Sequence, residues 1–495
     1  MTVLVLGDQL TRAVGPVADR DERLLLVESE AFGRRLPYHP HKLVAVYSAM
    51  RHFRDELRAE GRTVEYRQAA TLGDGIAAHL DADPGDELVA MRPLAYGADD
   101  RLQEIVAEAG GDLTLVPDER FLCSPAAFDE WAEGEAELGH EAFYRFQRRR
   151  TGYLMDGDDP VGGQWNYDEE NRETPPADYD PPTPETFPPD ETTREVRDWV
   201  AATFDADWAD PEPFRWPVTR DAALSALDDF AENRLADFGP YQDAMLGAEW
   251  ALSHSLLSVP LNLGLLRPAE VIERVIAAHR ERADVPINSV EGFVRQVLGW
   301  REFVRHAYRR GMPALADANR LDATAPLPDF YWTGDTDMAC LADAVEGVRA
   351  RGYAHHIERL MLLSNFALLR GVKPSAINRW FHAAFVDAFH WVVTPNVVEM
   401  GQYAADLFAT KPYVSSANYV EKMSDHCEGC RFDPDERTGA DACPFNALYW
   451  DFLDRHEDRL RSNPRIAAVY GHLDRMDDEE LTAVRERAAS LKERY

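Results

Sequence analysis

Short apolar runs alternate with amphipathic stretches over the first part of the chain. The runs Val3–Leu6, Leu24–Val27 and Leu88–Met91 predict buried strands, and Lys42–Glu60 carries apolar side chains at helical spacing. Strands that alternate with helices are typical of a parallel α/β sheet. Ligands bind such sheets outside the carboxyl ends of the strands, where Gly7-Asp8 follows the first strand, although a plain turn explains this dipeptide equally well.

The second half of the chain has a different pattern. Residues 174–190 contain seven prolines, which neither a helix nor a central strand tolerates, so they predict an extended segment. Amphipathic helical patterns follow almost to the end, most clearly at 268–283, 291–310, 339–370 and 374–392. The predicted fold is an α/β N-terminal domain with a parallel sheet over residues 1–135, a proline-rich linker over 136–195 and a large all-helical C-terminal domain over 196–495.

The chain is strongly acidic. Its 495 residues include 53 Lys and Arg against 88 Asp and Glu, a formal net charge of −35. Acids occur in every segment, which favours the acidic surface of proteins from a high-salt cytoplasm over a protein that merely avoids nucleic acid. No apolar run approaches the roughly 18 residues of a membrane span, and no signal peptide precedes the first strand. We therefore expect a cytoplasmic monomer with no membrane partner.

Three of the five cysteines lie close together. The pattern is Cys427-x2-Cys430-x12-Cys443-Pro444, and Cys340 is a possible fourth ligand. Four thiolates suit structural zinc or a cubane iron–sulfur cluster, and the Cys-Pro ending favours the cluster. Buried cysteines without a metal remain a third interpretation.

Three other groups of residues offer chemistry. His355-His356 fits a structural pair or a proton-transfer pair, since histidine exchanges protons near neutral pH. The run Arg148-Arg149-Arg150 fits a solvated helix face or a phosphate-binding patch, which is notable in an acidic chain. Trp332 and Trp380 fit a hydrophobic core, an electron relay or base stacking.

These motifs together resemble the cryptochrome/photolyase superfamily, in its iron–sulfur branch of bacterial cryptochromes and prokaryotic (6-4) photolyases. The segments that carry the resemblance occur in the family's order and span nearly the whole chain. They are Leu6-Gly-Asp-Gln-Leu10, Ser48-Ala-Met-Arg-His-Phe53, Asn288-Ser-Val-Glu-Gly-Phe-Val-Arg-Gln296, Gly299-Trp-Arg-Glu-Phe303, Tyr331-Trp-Thr-Gly334, His355-His356, Pro395-Asn396, Lys411-Pro-Tyr413, Met423-Ser-Asp425 and Cys443-Pro-Phe-Asn-Ala-Leu-Tyr-Trp-Asp451.

The resemblance implies an antenna-binding α/β domain and a helical domain that holds FAD and a [4Fe–4S] cluster. The implied cluster ligands are Cys340, Cys427, Cys430 and Cys443. The implied flavin-binding residues are Ser255, Leu256, Ser258, Arg301, Arg359, Asp387 and Asn396. The antenna of this branch is 6,7-dimethyl-8-ribityllumazine, and Asp8, Glu28, His39 and Lys42 match its motif positions.

The implied reaction is light-driven repair of UV-damaged DNA, in which photoexcited reduced FAD donates an electron to a (6-4) photoproduct. His356, with His355 beside it, matches the catalytic position, and Gln296 and Tyr413 match contacts to the flipped lesion. Trp380 and Trp332 match an electron path to the flavin, whereas Phe381 replaces a common tyrosine and the loop Met400–Phe408 lacks the family's paired glycines.

Two other functions fit the same sequence. A blue-light photoreceptor would use these cofactors without repair, and it would need none of His355, His356 and Gln296. A zinc-stabilised nucleic-acid-binding protein would contain no flavin. The retained histidines favour repair.

Overall fold

The computed structural model describes residues 1–247 and 249–495. The N-terminal part contains a five-stranded parallel sheet in the order β3-β2-β1-β4-β5. The strands are β1 Thr2–Val5, β2 Arg23–Ser29, β3 Val64–Ala69, β4 Glu87–Met91 and β5 Asp112–Val116. The predicted parallel sheet is therefore confirmed, and the three predicted strands lie within one or two residues of β1, β2 and β4.

Helices cover both faces of the sheet. Along β1, Val3 and Val5 face one hydrophobic cluster and Leu4 faces the other, because successive side chains of a strand point to opposite faces. Both clusters are apolar, so β1 carries apolar side chains on both faces rather than alternating apolar and polar ones. The helices of this part are Pro16–Asp19, Glu30–Gly33, Pro40–Ala59, Leu72–Ala82, Ala98–Glu108 and Pro125–Glu133.

The predicted linker is only partly extended. Residues 174–190 form neither helix nor strand, as their prolines predict. In contrast, His140–Thr151 is a helix packed on Arg295–Arg301, and Glu191–Thr203 packs on Pro40–Ala59. The linker region also includes the strand pair Met155–Asp156 and Asp159–Pro160 and the 3-10 turns Val161–Gly163 and Asp168–Glu170. The domain boundaries at 135 and 195 remain predictions.

The remainder of the chain is helical, which confirms the predicted fold class. Its α-helices are Arg220–Asp229, Leu235–Tyr241, Ser258–Leu263, Pro268–Glu281, Ile287–Val294, Glu302–Gly311, Phe330–Thr333, Ala339–Arg351, Asn365–Arg370, Pro374–Ala384, His390–Thr394, Ala417–Met423, Pro444–Arg455, Glu457–Leu460, Ala467–Leu473 and Asp478–Arg494, with 3-10 turns at Ala314–Asp317 and His426–Gly429. Within the described residues, no helix combines the length and apolarity that a membrane crossing requires.

Four π-helical segments interrupt these helices within the described chain. They are Phe230–Arg234, Arg295–Arg301, Glu358–Ser364 and Pro395–Gly401. The last three contain Gln296, Arg301, Arg359 and Asn396, which are all predicted site residues. Because π-helical turns cost helix stability and occur mainly at functional sites, they mark the same region that the motifs indicate.

Candidate active site

The loop between Leu252 and Ser258 has an unusual backbone. Leu252 and Leu256 adopt left-handed φ angles of 41° and 58°, and the helix Ser258–Leu263 begins directly after them. Backbone turns of this kind direct N–H groups toward one side, where they can hold an anion. Ser255 and Ser258 are only half-buried. The predicted phosphate-binding residues Ser255, Leu256 and Ser258 thus share one strained loop.

Arg359 and Asp387 form a bidentate ion pair. Nη1 and Nη2 of the arginine each lie 3.0 Å from a carboxylate oxygen, and its guanidinium lies 4.2 Å from the ring centre of Phe385. The Asn262 amide donates to the backbone oxygen of Asp387 at 2.8 Å, and its side-chain oxygen accepts from Arg301. Three predicted flavin residues therefore belong to one hydrogen-bond network.

Several buried polar atoms beside this network have no partner within the described residues. They include Nε2 of His254, both ring nitrogens of His355 and Nε of Arg301. An unpaired buried polar atom costs about 1–3 kcal/mol, so these atoms indicate a polar ligand. Asn396 lies in the π-helical segment Pro395–Gly401 and is half-buried. Its side-chain amide donates to the backbone oxygen of Val392 at 2.7 Å.

Three histidines form a cluster. The rings of His254 and His355 stack with centres 4.6 Å apart, and His254 contacts His356 edge-on at 5.2 Å. Burial lowers the pKa of both His254 and His355 well below the usual value, so these two rings are neutral at pH 7. The side chain of His356 is 50% exposed, and its Nε2 lies 3.6 Å from Oδ1 of Asp243. His356 is therefore the member that a substrate can reach.

The histidine cluster suits proton chemistry better than metal binding. One ligand atom from each ring lies within 4.8 Å of the others. However, the planes of His254 and His355 differ by only 17°. Imidazole binds metals through an in-plane lone pair, and two stacked rings direct those lone pairs side by side. The stacked pair cannot aim both nitrogens at a single ion in this arrangement.

Gln296 and Tyr413 come from two segments that both approach Asp168. Burial raises the pKa of Tyr413, and the nearby charge of Asp168 raises it further. Asp168 also accepts from Arg295 at 3.1 Å, beside Gln296 in the π-helical segment. Asp168 thus lies near Tyr413 and is bonded to the residue before Gln296, and the side chains of Gln296 and Tyr413 are both half-buried.

A row of tryptophans leads from the core of the helical domain toward its surface. Trp380 is fully buried and its ring centre lies 6.5 Å from that of Trp332. Trp332 lies 4.9 Å from Trp208, whose indole donates to the oxygen of Pro37 at 3.1 Å. Phe381 stacks on Phe385. The predicted pair is therefore in contact, and Trp208 extends it.

The four predicted metal-binding cysteines line one pocket together with apolar side chains such as Met338, Phe432 and Phe445. Burial raises the pKa of Cys340, Cys427 and Cys443, and the negative charges of neighbouring cysteines raise it further. Within the described residues, the only trio of metal-type ligand atoms within 4.8 Å of one another is the histidine cluster. No three of the sulfurs are therefore that close together.

Two of the predicted antenna residues, Glu28 and Lys42, are bonded through their side chains to other protein groups. The Glu28 carboxylate accepts from Arg51 at 2.7 and 2.9 Å, from Gln68 and from Tyr66. Lys42 donates across the domain interface to the backbone oxygens of His382, at 2.9 Å, and Ala388. The bonds that these side chains need are thus supplied by the protein.

His39 is held through both nitrogens of its ring, whereas Asp8 is held through its backbone oxygen. His39 Nε2 contacts the oxygen of Arg349 at 2.9 Å, and its Nδ1 accepts from the backbone of His41. The Asp8 backbone oxygen accepts from Arg120, and burial raises the pKa of the Asp8 carboxyl. The assignment of Asp8, Glu28, His39 and Lys42 to an antenna remains a prediction.

The predicted DNA-binding run needs one correction. Arg148 is 0% exposed and donates to the backbone oxygens of Trp165, at 2.9 Å, and Leu154. It holds the chain after the helix His140–Thr151 and cannot reach a phosphate. Arg149 and Arg150 are exposed at the end of that helix. The helical period explains the difference, because one face of this helix packs on the core.

Comparison with known proteins agrees with this geometry. A family model described as deoxyribodipyrimidine photo-lyase-related protein matches residues 3–216. The (6-4) photolyase of Agrobacterium fabrum is 40% identical to this chain, with 99% of this chain and 98% of the relative covered. The chain belongs to the cryptochrome/photolyase family. The predicted resemblance is therefore confirmed.

Solved structures of the cryptochrome/photolyase family share this fold. A bacterial class III photolyase from Agrobacterium tumefaciens superposes with a TM-score of 0.63 at 16% identity, covering 100% of this chain and 98% of that chain. A cryptochrome from Synechocystis sp. gives 0.59 at 14% identity, covering 98% and 93%. At these identities the likeness concerns the fold alone.

The loop Met400–Phe408, which lacks the family's paired glycines, is held by the side chain of Glu399. Glu399 is fully buried, and its Oε1 accepts from the backbone N–H groups of Leu407, Phe408 and Ala409 at 2.9, 2.8 and 2.8 Å. A carboxylate that accepts three N–H groups fixes a turn strongly. Glu399 thus shapes the loop in the absence of paired glycines.

Three residues of the site are not predicted from the sequence. His254 and Trp208 come from segments distant in sequence from the partners they touch, so no local spacing indicates them. Glu358 is different, since its position three residues after His355 is a recognisable capping pattern. In the structure His355 directly precedes the helix rather than lying inside it, which corrects the predicted helical placement.

Proposed function

We propose that this chain is a (6-4) photolyase, a light-dependent DNA repair enzyme that reverts (6-4) pyrimidine photoproducts. The observation that carries this proposal is the histidine cluster, in which the half-exposed His356 lies on two buried neutral rings. The full-length relative named (6-4) photolyase supports the same activity. A photoreceptor that performs no repair has no need of an accessible proton-exchanging side chain at this position.

FAD fits the residues of the helical domain. The left-handed loop at Leu256 offers N–H groups to a diphosphate, and the Arg359–Asp387 pair offers a charged, hydrogen-bonded edge to a flavin ring. The unpaired atoms of His254 and Arg301 supply further polar contacts. Bound in its reduced form, FAD supplies the photoexcited electron.

A [4Fe–4S] cluster on Cys340, Cys427, Cys430 and Cys443 is the second proposed cofactor. A single tetrahedral zinc ion with Zn–S bonds of about 2.3 Å holds its sulfurs about 3.8 Å apart. No three of the four sulfurs lie within 4.8 Å of one another, which favours an inorganic core larger than one ion. Their apolar surroundings suit a buried cluster. Iron and sulfide analysis of anaerobically purified protein tests this proposal, and zinc without iron contradicts it.

The protein's own residues perform the remaining steps. Arg149 and Arg150 attract the DNA backbone, and Gln296 and Tyr413 contact the extruded bases. His356 moves a proton at the lesion, while Asp243, 3.6 Å from its Nε2, orients that ring. Trp380, Trp332 and Trp208 conduct electrons inward from the surface. A lumazine antenna at Asp8, Glu28, His39 and Lys42 is a separate prediction, on which the repair step does not depend.

The variant His356→Ala tests the proposal. We expect it to keep its flavin and to bind damaged DNA in the dark, but to lose (6-4) repair by at least 100-fold, since proton transfer of this kind typically contributes about 10²–10⁴. The exposed His472→Ala, on the helix Ala467–Leu473, is the matched control. Repair by His356→Ala at the parental rate would overturn the catalytic assignment and favour a photoreceptor.

A further inference from the structure

Glu358 has a capping position with an unusual environment. The backbone N–H of His355 donates to Oε2 of Glu358 at 3.0 Å. A glutamate that reaches back to the first residue of a helix is a common capping arrangement, and such side chains are normally solvated. Glu358 is only 5% exposed. A simple cap does not require this burial.

The Glu358 carboxyl group also faces the ring of His355. Its Oε2 lies 3.6 Å from Nε2 of His355, and neither ring nitrogen has a hydrogen-bond partner within the described residues. Burial raises the pKa of Glu358 to about 7, the charge of Asp343 raises it further, and the His355 N–H, Arg351 and Arg359 lower it. A buried acid and a buried neutral imidazole thus lie side by side.

We propose that Glu358 is a positioning residue for the catalytic histidines, which fixes the backbone of His355 and presents its carboxyl group to Nε2 of that ring. This inference rests on the proposed (6-4) photolyase function. A protonated carboxyl donates to Nε2, so the hydrogen of neutral His355 resides on Nδ1. An ionised carboxylate instead accepts a hydrogen from Nε2, which selects the opposite tautomer. The protonation state of Glu358 therefore decides which nitrogen of His355 donates within the histidine cluster.

The variants Glu358→Gln and Glu358→Ala separate this role from simple capping. Glutamine keeps an oxygen for the His355 N–H and does not titrate, whereas alanine removes both functions. Glu346→Gln is the control, because Glu346 is an exposed residue on the neighbouring helix Ala339–Arg351. Flavin content and dark binding of a (6-4) oligonucleotide are measured for each protein. Repair is then measured from pH 6 to 8.5.

We expect the parent and Glu346→Gln to show an inflection in repair near pH 7 that Glu358→Gln lacks. Glu358→Ala should repair at least tenfold more slowly with flavin content unchanged. The inference fails if Glu358→Gln keeps the parental pH profile, whether or not Glu358→Ala folds.

Imidazole ¹⁵N NMR in the dark provides a readout that does not depend on repair. The His355 resonances, assigned with His355→Asn, should change between pH 6 and 8 in the parent and remain constant in Glu358→Gln. A parent that shows this change but repairs no (6-4) lesion contradicts the proposed function and retains the role of Glu358. A constant His355 signal in the parent overturns the inference itself.

Discussion

The arginines of the run Arg148-Arg149-Arg150 differ in exposure, and this difference gives a quantitative prediction about DNA binding. Arg149 and Arg150 are exposed, while Arg148 is buried and bonded to two backbone oxygens. Each lost phosphate contact flattens the plot of log affinity against log salt by about 0.9. The double variant Arg149→Ala/Arg150→Ala should therefore lose about 1.8 from the slope, and Arg148→Met should lose nothing.

The same relation gives the loss of affinity. Extrapolated from a 1 M reference, a slope change of about 1.8 corresponds to about 60-fold weaker binding at 0.1 M salt and about fivefold at 0.4 M. The loss should be equal for damaged and undamaged duplexes, because phosphates carry no lesion. Arg148→Met should instead lower the free energy of unfolding by about 1–3 kcal/mol, since it leaves the backbone oxygen of Trp165 unpaired, whereas the oxygen of Leu154 still accepts from the N–H of Val161.

Fluorescence anisotropy with labelled duplexes over a salt series measures both effects. Arg101→Ala, on the exposed surface of the helix Ala98–Glu108, is the control and should match the parent. An unchanged slope in the double variant would show that these arginines are only solvated side chains at a helix end and do not contact phosphates. A flattened slope in Arg148→Met with unaltered stability would refute the structural role of that residue.

Three other predictions follow from the same structure. Cys340→Ser should lower the iron content and the soluble yield, because metal binding contributes to folding; full iron occupancy by elemental analysis would contradict this. Trp208→Phe should slow photoreduction of the flavin without slowing repair by chemically reduced protein. An unchanged rate of flavin photoreduction under blue light would exclude Trp208 from the electron-transfer path. Burial lowers the pKa of Lys42 to about 7, so its folded form binds a proton less tightly than the unfolded chain. Stability should therefore fall as the pH falls from 10.5 to 7, by about 2 kcal/mol between pH 9.5 and 7.5. Lys42→Met should remove that part of the slope in urea unfolding, and an identical slope would show that Lys42 does not titrate there.

The sheet and several helices were accessible from the sequence because their signals are local. Apolar runs define β1, β2 and β4, and the helix Pro268–Glu281 follows its 3.6-residue period closely. The predicted helix over 339–370 is interrupted, since Gly352 adopts a left-handed φ of 64° and ends its first part. The hydrophobic periodicity continues on both sides of Gly352, so the sequence pattern does not reveal the end of the helix there.

The site was accessible through motifs but not through periodicity. The cysteine spacing indicates the metal ligands, and the resemblance indicates the residues around Arg359 and His356. They did not indicate that His254 stacks on His355, because the two are 101 positions apart and only the folded chain brings them together. The burial of Arg148 depends on which helix face meets the core. The involvement of Lys42 in the domain interface depends on carbonyl groups of the other domain.

Repair of defined lesions tests the central claim most directly. The parent protein is photoreduced, illuminated with blue light in the presence of oligonucleotides that carry either a (6-4) photoproduct or a cyclobutane dimer, and the products are separated by chromatography. We expect light-dependent recovery of intact pyrimidines from the (6-4) oligonucleotide, with none in the dark. A flavin-loaded, photoreducible protein that binds the (6-4) oligonucleotide and returns it unchanged would contradict it.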